Sequence, residues 1–187
     1  MGRDADGPAA HLASRPLSLI RFTHRAIGQG DDRVVCMSVK ERLLREGFEL
    51  AAPPVALGAY LPAARTGQLV FTSGQLPLLE GALLATGRVD EDVPADLARR
   101  CAERCALNAL AAASSVCDLD RVARVVKVVG YVASSPAFSG QPAVIDGASS
   151  VMAIAFGDAG RHAREAVGVA SLPLGAPVEI SLVLEVS

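Results

Sequence analysis

Two charged side chains stand among apolar residues near the end of the chain, and their types would suit the binding and hydrolysis of a small anion. Arg164 opens a predicted strand near 163–170, and Glu179 lies in a second predicted strand at 177–186. A guanidinium keeps its charge at any relevant pH, and its planar fork fits a carboxylate with two hydrogen bonds. A carboxylate such as that of Glu179 can position or deprotonate a water molecule. The alternative is structural: Arg164 pairs with Glu165, with Glu179 or with an acid of a neighbouring subunit, and Glu179 pairs with an arginine at an interface.

Three further positions could line a binding site. The segment TSGQ, residues 72–75, ends a predicted strand, and the backbone N–H groups at Ser73 and Gly74 could face an anion. Tyr60 lies in a predicted loop, where its hydroxyl could reach a pocket rim. An ordinary strand exit and ordinary aromatic packing are the alternatives. His162 is the single histidine in the part predicted to fold, so we expect no Ser-His-Asp triad.

Composition excludes several classes of protein. The net charge is −2 and the arginines are scattered, so we expect no nucleic-acid partner. No run approaches the roughly 18 apolar residues that a membrane helix needs, so we expect no membrane segment. The four cysteines form no C-x-x-C pair, which argues against a zinc site, and we expect reduced thiols in a cytoplasmic protein. These cysteines are Cys36, Cys101, Cys105 and Cys117.

The chain divides into a leader and one folded domain. Residues 1–36 show no sustained hydrophobic period, and their arginines and aspartates rule out a secretory or transit peptide. We therefore predict that residues 1–36 are a disordered extension, or that the working protein begins at Met37. The folded domain is predicted to span 37–187, with Ser38 and Glu41 forming a capping box at its first helix.

Hydrophobic periodicity and turn residues predict an α+β domain. The predicted helices cover 38–46, 94–116 and 140–157, and the predicted strands lie at 69–72, 82–88, 122–129, 163–170 and 177–186. The first two strands are expected to form a hairpin. We expect a mixed sheet with two helices on one face. The other face of the sheet is also apolar, which predicts a homo-oligomer.

Four segments resemble the RidA/YjgF superfamily of reactive-intermediate (enamine/imine) deaminases. They are AYLPAARTGQLVFTSGQLP, CALNAL, LDRVARVVKVVGYVAS and GRHAREAVGVASLPLGAPVEI, which occur in that order between Met37 and Ser187. The resemblance implies a chorismate mutase-like fold in which the last strand inserts between others. It also implies a homotrimer whose sites lie in clefts between subunits.

The resemblance further implies an activity and a set of site residues. Members of the family hydrolyse 2-imino acids, or enamine tautomers such as 2-aminoacrylate, to 2-keto acids and ammonia, without metal or cofactor. Arg164 would bind the substrate carboxylate, and Glu179 would help to hold the attacking water. The cleft would be lined by Tyr60, Ser73, Gly74 and Ala166, the last through a backbone carbonyl.

This chain also departs from the pattern of the family. Glu165 stands where typical members carry a small polar residue, and Ala166 replaces a common cysteine. The family's asparagine on the preceding helix has only a shifted neighbour, Asp146. An alternative function is therefore a non-catalytic trimer that binds small carboxylates or a protein partner, with Arg164 as its anchor. RNA cleavage, which older names of the family suggest, fits the acidic composition poorly.

Overall fold

The computed structural model describes residues 37–53 and 59–187. The helices are α1 (Val39–Arg45), α2 (Ala95–Ala113) and α3 (Gln141–Phe156). The strands are β1 (Ala63–Thr66), β2 (Leu69–Thr72), β3 (Leu78–Leu79), β4 (Ala82–Leu83), β5 (Val122–Ala133), β6 (Ala163–Val169) and β7 (Val178–Val186). The predicted leader, residues 1–36, lies outside the described residues.

Five strands form the main sheet, in the order β1-β2-β7-β5-β6. β5 and β6 are parallel and are joined through α3, whereas β1–β2, β2–β7 and β7–β5 are antiparallel. The last strand thus inserts between β2 and β5, as the resemblance implied. The order also makes β6, which carries Arg164, an edge strand.

The long helices α2 and α3 cover one face of this sheet. Alternate residues of β7 are buried beneath them, beginning with Val178 and Ile180, and removing a side chain of this size from water stabilises a fold by about 1.5–3 kcal/mol. The two helices approach closely at Gly147, where a Cβ would lie 2.4 Å from the carbonyl oxygen of Arg99. The predicted mixed sheet with two helices on one face is confirmed, and the short helix α1 packs beside α3 with Leu43 buried.

The opposite face, here called the open face, is not covered within the described chain. It carries the other residues of β7, including Glu179, and apolar side chains of β2 and β6. Phe71 and Val167 are each 42% exposed there. Self-association through this face therefore stays a prediction.

The first strands differ from the expected hairpin. β2 pairs with β1 across a tight turn at Gly67, whose φ of +57° is a conformation that glycine adopts without strain. The residues of β4 instead pair with β3 in a separate two-stranded sheet. The predicted pairing of 69–72 with 82–88 is wrong, because Ala63–Thr66 forms the partner strand although its sequence shows no apolar alternation.

The first helix begins as its sequence predicted. The Ser38 side chain accepts from the backbone of Glu41, and the Glu41 carboxylate accepts from the backbone of Ser38. The Ser38 backbone N–H and the Ser38 hydroxyl both donate to the Glu41 carboxylate, which holds the pKa of Glu41 below its ordinary value. Within residues 37–53 and 59–187, no helix has both the length and the apolar character needed to cross a bilayer.

Candidate functional site

Arg164 lies on β6 and points toward α3. Its Cα is aligned with that of Val128 on β5, a residue buried on the helix-covered face. Its Nη1 donates to Asp146 Oδ1 at 2.6 Å and to Ser149 Oγ at 3.2 Å, and both acceptors lie on α3. The side chain is 28% exposed, and its Nε and Nη2 have no hydrogen-bond partner among the described residues. One edge of the guanidinium is therefore anchored, and the edge suited to bidentate binding of a carboxylate stays open.

Asp146 and Ser149 meet Arg164 because they are three residues apart on α3 and so share one helix face. The sequence does not single out Ser149, since mid-helix serines carry no distinctive pattern. It indicates Asp146 only as a shifted neighbour of a family position. The pairing of Arg164 is thus partly structural, but its partner is Asp146 rather than Glu165 or Glu179.

Glu165 points away from Arg164. Adjacent residues of a strand face opposite sides of the sheet, so Glu165 lies on the open face. There its carboxylate pairs with Lys127 Nζ at 2.6 Å. The acid beside Arg164 in sequence therefore does not contact its guanidinium.

A groove of about 760 Å³ runs beside Arg164. Small residues and polar side chains line it together. Its lining is Ser149, Ala153, Gly157, Asp158, Gly160, Arg161, His162 and Arg164. The groove therefore has room for a small anion held by Arg164.

Glu179 lies on the open face beside the predicted TSGQ segment. Its carboxylate packs so closely on Gly74 that a Cβ at that position would come within 1.7 Å of Oε1. Gln75 and Ile180 exchange two backbone hydrogen bonds, of 2.8 and 3.1 Å, which fix the segment against β7. Burial raises the pKa of Glu179, and its carboxylate has no hydrogen-bond partner among the described residues. Such a group would readily accept a proton or a hydrogen bond from water.

The Tyr60 loop is tied to the same segment. The Ser73 hydroxyl donates to the carbonyl of Leu61 at 2.7 Å, and the Ser73 amide donates to that of Pro62 at 2.9 Å. Tyr60 itself is 55% exposed. Gly74 therefore lies against Glu179 with Ser73 next to it in the chain, and the loop that carries Tyr60 is bonded to Ser73, whose hydroxyl is thus already bonded within the chain.

Asn108 of α2 holds the chain just after the TSGQ segment. Its side-chain amide donates to the carbonyls of Leu76 and Leu78, at 2.9 Å each. The amide thus bonds to backbone and holds the chain that follows Gln75.

One chain does not bring Arg164 and Glu179 together. Arg164 aligns through Val128 with Leu182, so it lies two strands and three residues from Glu179, roughly 14 Å by standard strand spacings. The two side chains also face opposite sides of the sheet. Ala166, two residues beyond Arg164 and aligned with Gly130, stays on the side of Arg164. The described chain thus carries two separate groups of candidate residues, one around Arg164 and one around Glu179, here called the two half-sites.

No three His, Cys, Asp or Glu side chains gather into a possible metal site within residues 37–53 and 59–187. The fold and the half-sites define a mixed α+β protein with one helix-covered sheet face and a polar groove at the β6 edge. The sequence model of the family described as "YjgF/chorismate mutase-like, putative endoribonuclease" matches residues 40–186. The chain belongs to this YjgF/RidA family.

Individual relatives agree with this assignment. Protein TCP17 of Trypanosoma cruzi is 38% identical over 151 residues, which cover 80% of this chain and 94% of TCP17. The crystal structure of Atu1372 from Agrobacterium tumefaciens, described there as a protein of unknown function, is 44% identical with a TM-score of 0.74, covering 80% of this chain and 92% of that one. A Shewanella oneidensis protein with the same endoribonuclease description is 30% identical with a TM-score of 0.77, covering 80% and 100%.

Proposed function

We propose that this protein hydrolyses 2-imino acids and their enamine tautomers, such as 2-aminoacrylate, to 2-keto acids and ammonia. The observation that carries the proposal is the geometry of Arg164. Asp146 and Ser149 hold its Nη1, so the guanidinium is fixed while its Nε and Nη2 edge stays open. A carboxylate bound to that edge would gain two charge-assisted hydrogen bonds.

The reaction needs little from the protein beyond this anchor. An imine carbon is electrophilic, so water can add to it, and the resulting amino alcohol loses ammonia to give the ketone. Glu179 is suited to hold the water, because its half-buried carboxylate has a raised pKa and no hydrogen-bond partner among the described residues. Fixing water and imine in reactive geometry can supply several kcal/mol, up to roughly 7–11 kcal/mol in ideal cases.

The proposal requires a second copy of the chain. Since Arg164 and Glu179 face opposite sides of one sheet, a shared site forms only where the β6 edge of one subunit meets the Glu179 side of another. We propose a homotrimer with such clefts, assembled through the apolar open face. Tyr60, Ser73, Gly74 and the carbonyl near Ala166 would complete each cleft.

A relative with a bound amino acid supports a small carboxylate ligand. The crystal structure of Escherichia coli TdcF contains serine, and that chain is 25% identical with a TM-score of 0.50, covering 73% of this chain and 94% of TdcF. Serine carries the α-carboxylate that the open edge of Arg164 would bind. We extend to this chain only the ligand class, a small α-amino or α-imino acid.

The test is a coupled assay. An amino-acid oxidase generates 2-imino acids in solution, and release of the 2-keto acid is followed with and without the protein. We expect acceleration by the parent, and a loss of about 100-fold or more in Arg164→Ala and Glu179→Gln. Native mass spectrometry of the same samples should give a trimer. No acceleration with any amino acid, together with thermal stabilisation by keto acids, would instead support the non-catalytic binder.

A further inference from the structure

A serine and a histidine meet in the groove beside Arg164. Ser149 Oγ lies 3.1 Å from His162 Nε2, and His162 Nδ1 lies 2.6 Å from the carbonyl oxygen of Gly160. Ser149 lies in the middle of α3, and His162 lies just before β6. The pair is not a Ser-His-Asp triad, because a backbone carbonyl rather than a carboxylate orients the histidine.

The position of each proton follows from the hydrogen bonds. A carbonyl oxygen can only accept, so His162 Nδ1 carries the proton that it donates to Gly160. In the neutral ring Nε2 then holds a lone pair, and it accepts the hydroxyl proton of Ser149. This is the arrangement of a nucleophile beside a base whose orientation is fixed by a third group.

Arg164 adds a cation at the reacting oxygen. Its Nη1 lies 3.2 Å from Ser149 Oγ, so positive charge faces the point where an alkoxide would develop. The open Nε and Nη2 edge of the same guanidinium is available to the carbonyl oxygen of a bound acyl group. Ala153, Gly157 and Gly160 leave space for that group in the groove.

We propose that Ser149 is an acyl-accepting nucleophile for small activated esters or thioesters, with His162 as its base. The Ser149 Oγ–carbon bond forms while the hydroxyl proton moves to His162 Nε2. The imidazolium then returns this proton to the alcohol or thiol as its bond to carbon breaks. Water cleaves the acyl-serine, giving one proton to Nε2, and Ser149 regains its hydroxyl as the acid leaves. All the residues belong to one chain, so this inference does not rest on the proposed imine hydrolysis.

The experiment uses the full-length protein and p-nitrophenyl acetate. Release of p-nitrophenolate is followed by stopped flow, and the acetylated residue is identified by intact mass and peptide mapping. We expect a burst of one equivalent per chain and an acetyl group on Ser149. Ser149→Ala should abolish both, and His162→Gln should slow acetylation by about 100-fold or more.

Ser150 supplies a matched control. Its hydroxyl donates to the carbonyl of Asp146 at 2.8 Å and belongs to neither half-site, so Ser150→Ala should react at the parental rate. Acetylation confined to lysines or the chain terminus would overturn the proposal, as would His162→Gln reacting at the parental rate. If Ser149→Ala does not fold, peptide mapping of the parent and the acetylation rate of His162→Gln still test whether Ser149 is the nucleophile and His162 its base.

Discussion

The contact between Gly74 and Glu179 gives a substitution whose effect can be worked out from distances. A Cβ on Gly74 would lie 1.7 Å from Glu179 Oε1 and 2.6 Å from its carboxyl carbon. Contacts under 3.0 Å essentially never occur, so in Gly74→Ala the oxygen must retreat by at least 3.0 − 1.7 = 1.3 Å. The backbone of Gly74 is not in the left-handed region, so alanine causes no strain there apart from this collision.

The expected result is a loss of activity with little loss of fold. A displacement of about 1 Å in a catalytic group can cost on the order of 100-fold in rate, so we expect kcat/KM for 2-imino acids to fall by about that factor. The carboxylate is the mobile end of a half-exposed side chain, so it can move without unfolding the protein. Coupled keto-acid assays and thermal melts on the same samples measure both effects.

A double-mutant cycle isolates the cause. Glu179→Ala removes the colliding atoms, so adding Gly74→Ala to it should change nothing further in kcat/KM. If Gly74→Ala is as active as the parent, or if the two losses multiply in the double variant, Glu179 does not act from the position beside Gly74.

Three further predictions concern single groups. Glu165→Gln should change kcat/KM by less than about fivefold, because the side chain faces the opposite side of the sheet from Arg164 and does not contact the guanidinium. A loss as large as that of Arg164→Ala would show that Glu165 acts in the site. Burial raises the pKa of Glu179 above the ordinary 4.5, so the folded protein becomes less stable as pH rises through that raised pKa. Glu179→Gln should therefore flatten the pH dependence of the free energy of unfolding, and at neutral pH it should raise that free energy. Parallel curves for the two proteins would contradict this. Burial raises the pKa of Cys101 to about 11 and that of Cys105 well above its ordinary value, so iodoacetamide at pH near 8 should modify neither until the protein is denatured, as peptide mapping can establish.

Local features of the fold were predictable because they depend on neighbouring residues. The capping box at Ser38, the helix α2 and the alternating strand β7 each follow from patterns a few residues long. The insertion of β7 between β2 and β5 follows from no such pattern, and only the family resemblance indicated it. β1 was missed because two alanines, an arginine and a threonine show no alternation.

The sequence predicts which residues belong to the candidate site, but not how these residues are arranged in space. Arg164 and Glu179 stand out in the sequence because they are charges in apolar strands. Their placement on opposite faces depends on register across β5, which pairs with both of their strands. The alternation of residues along one strand shows which of them share a face, but it cannot show which face of the sheet they share with residues of another strand.

The polar groups around Arg164 depend on tertiary structure even more strongly. Ser149 reaches His162 only because the parallel β5-α3-β6 connection lays α3 against the start of β6. The same connection places Asp146 on the guanidinium. A one-residue change in register would separate these groups, and no local motif encodes that register.

Subunit complementation tests the central claim, that Arg164 of one subunit works with Glu179 of another. Arg164→Ala and Glu179→Ala proteins, each inactive alone on 2-imino acids, are co-expressed in equal amounts and purified together as the whole random population of trimers, homotrimers included. If the site is shared between neighbouring subunits of a trimer, about one quarter of the clefts combine an intact Arg164 with an intact Glu179, and about a quarter of the parental activity returns. If the mixed oligomers stay as inactive as either variant alone, the two residues do not meet across a subunit interface and the proposed site is wrong.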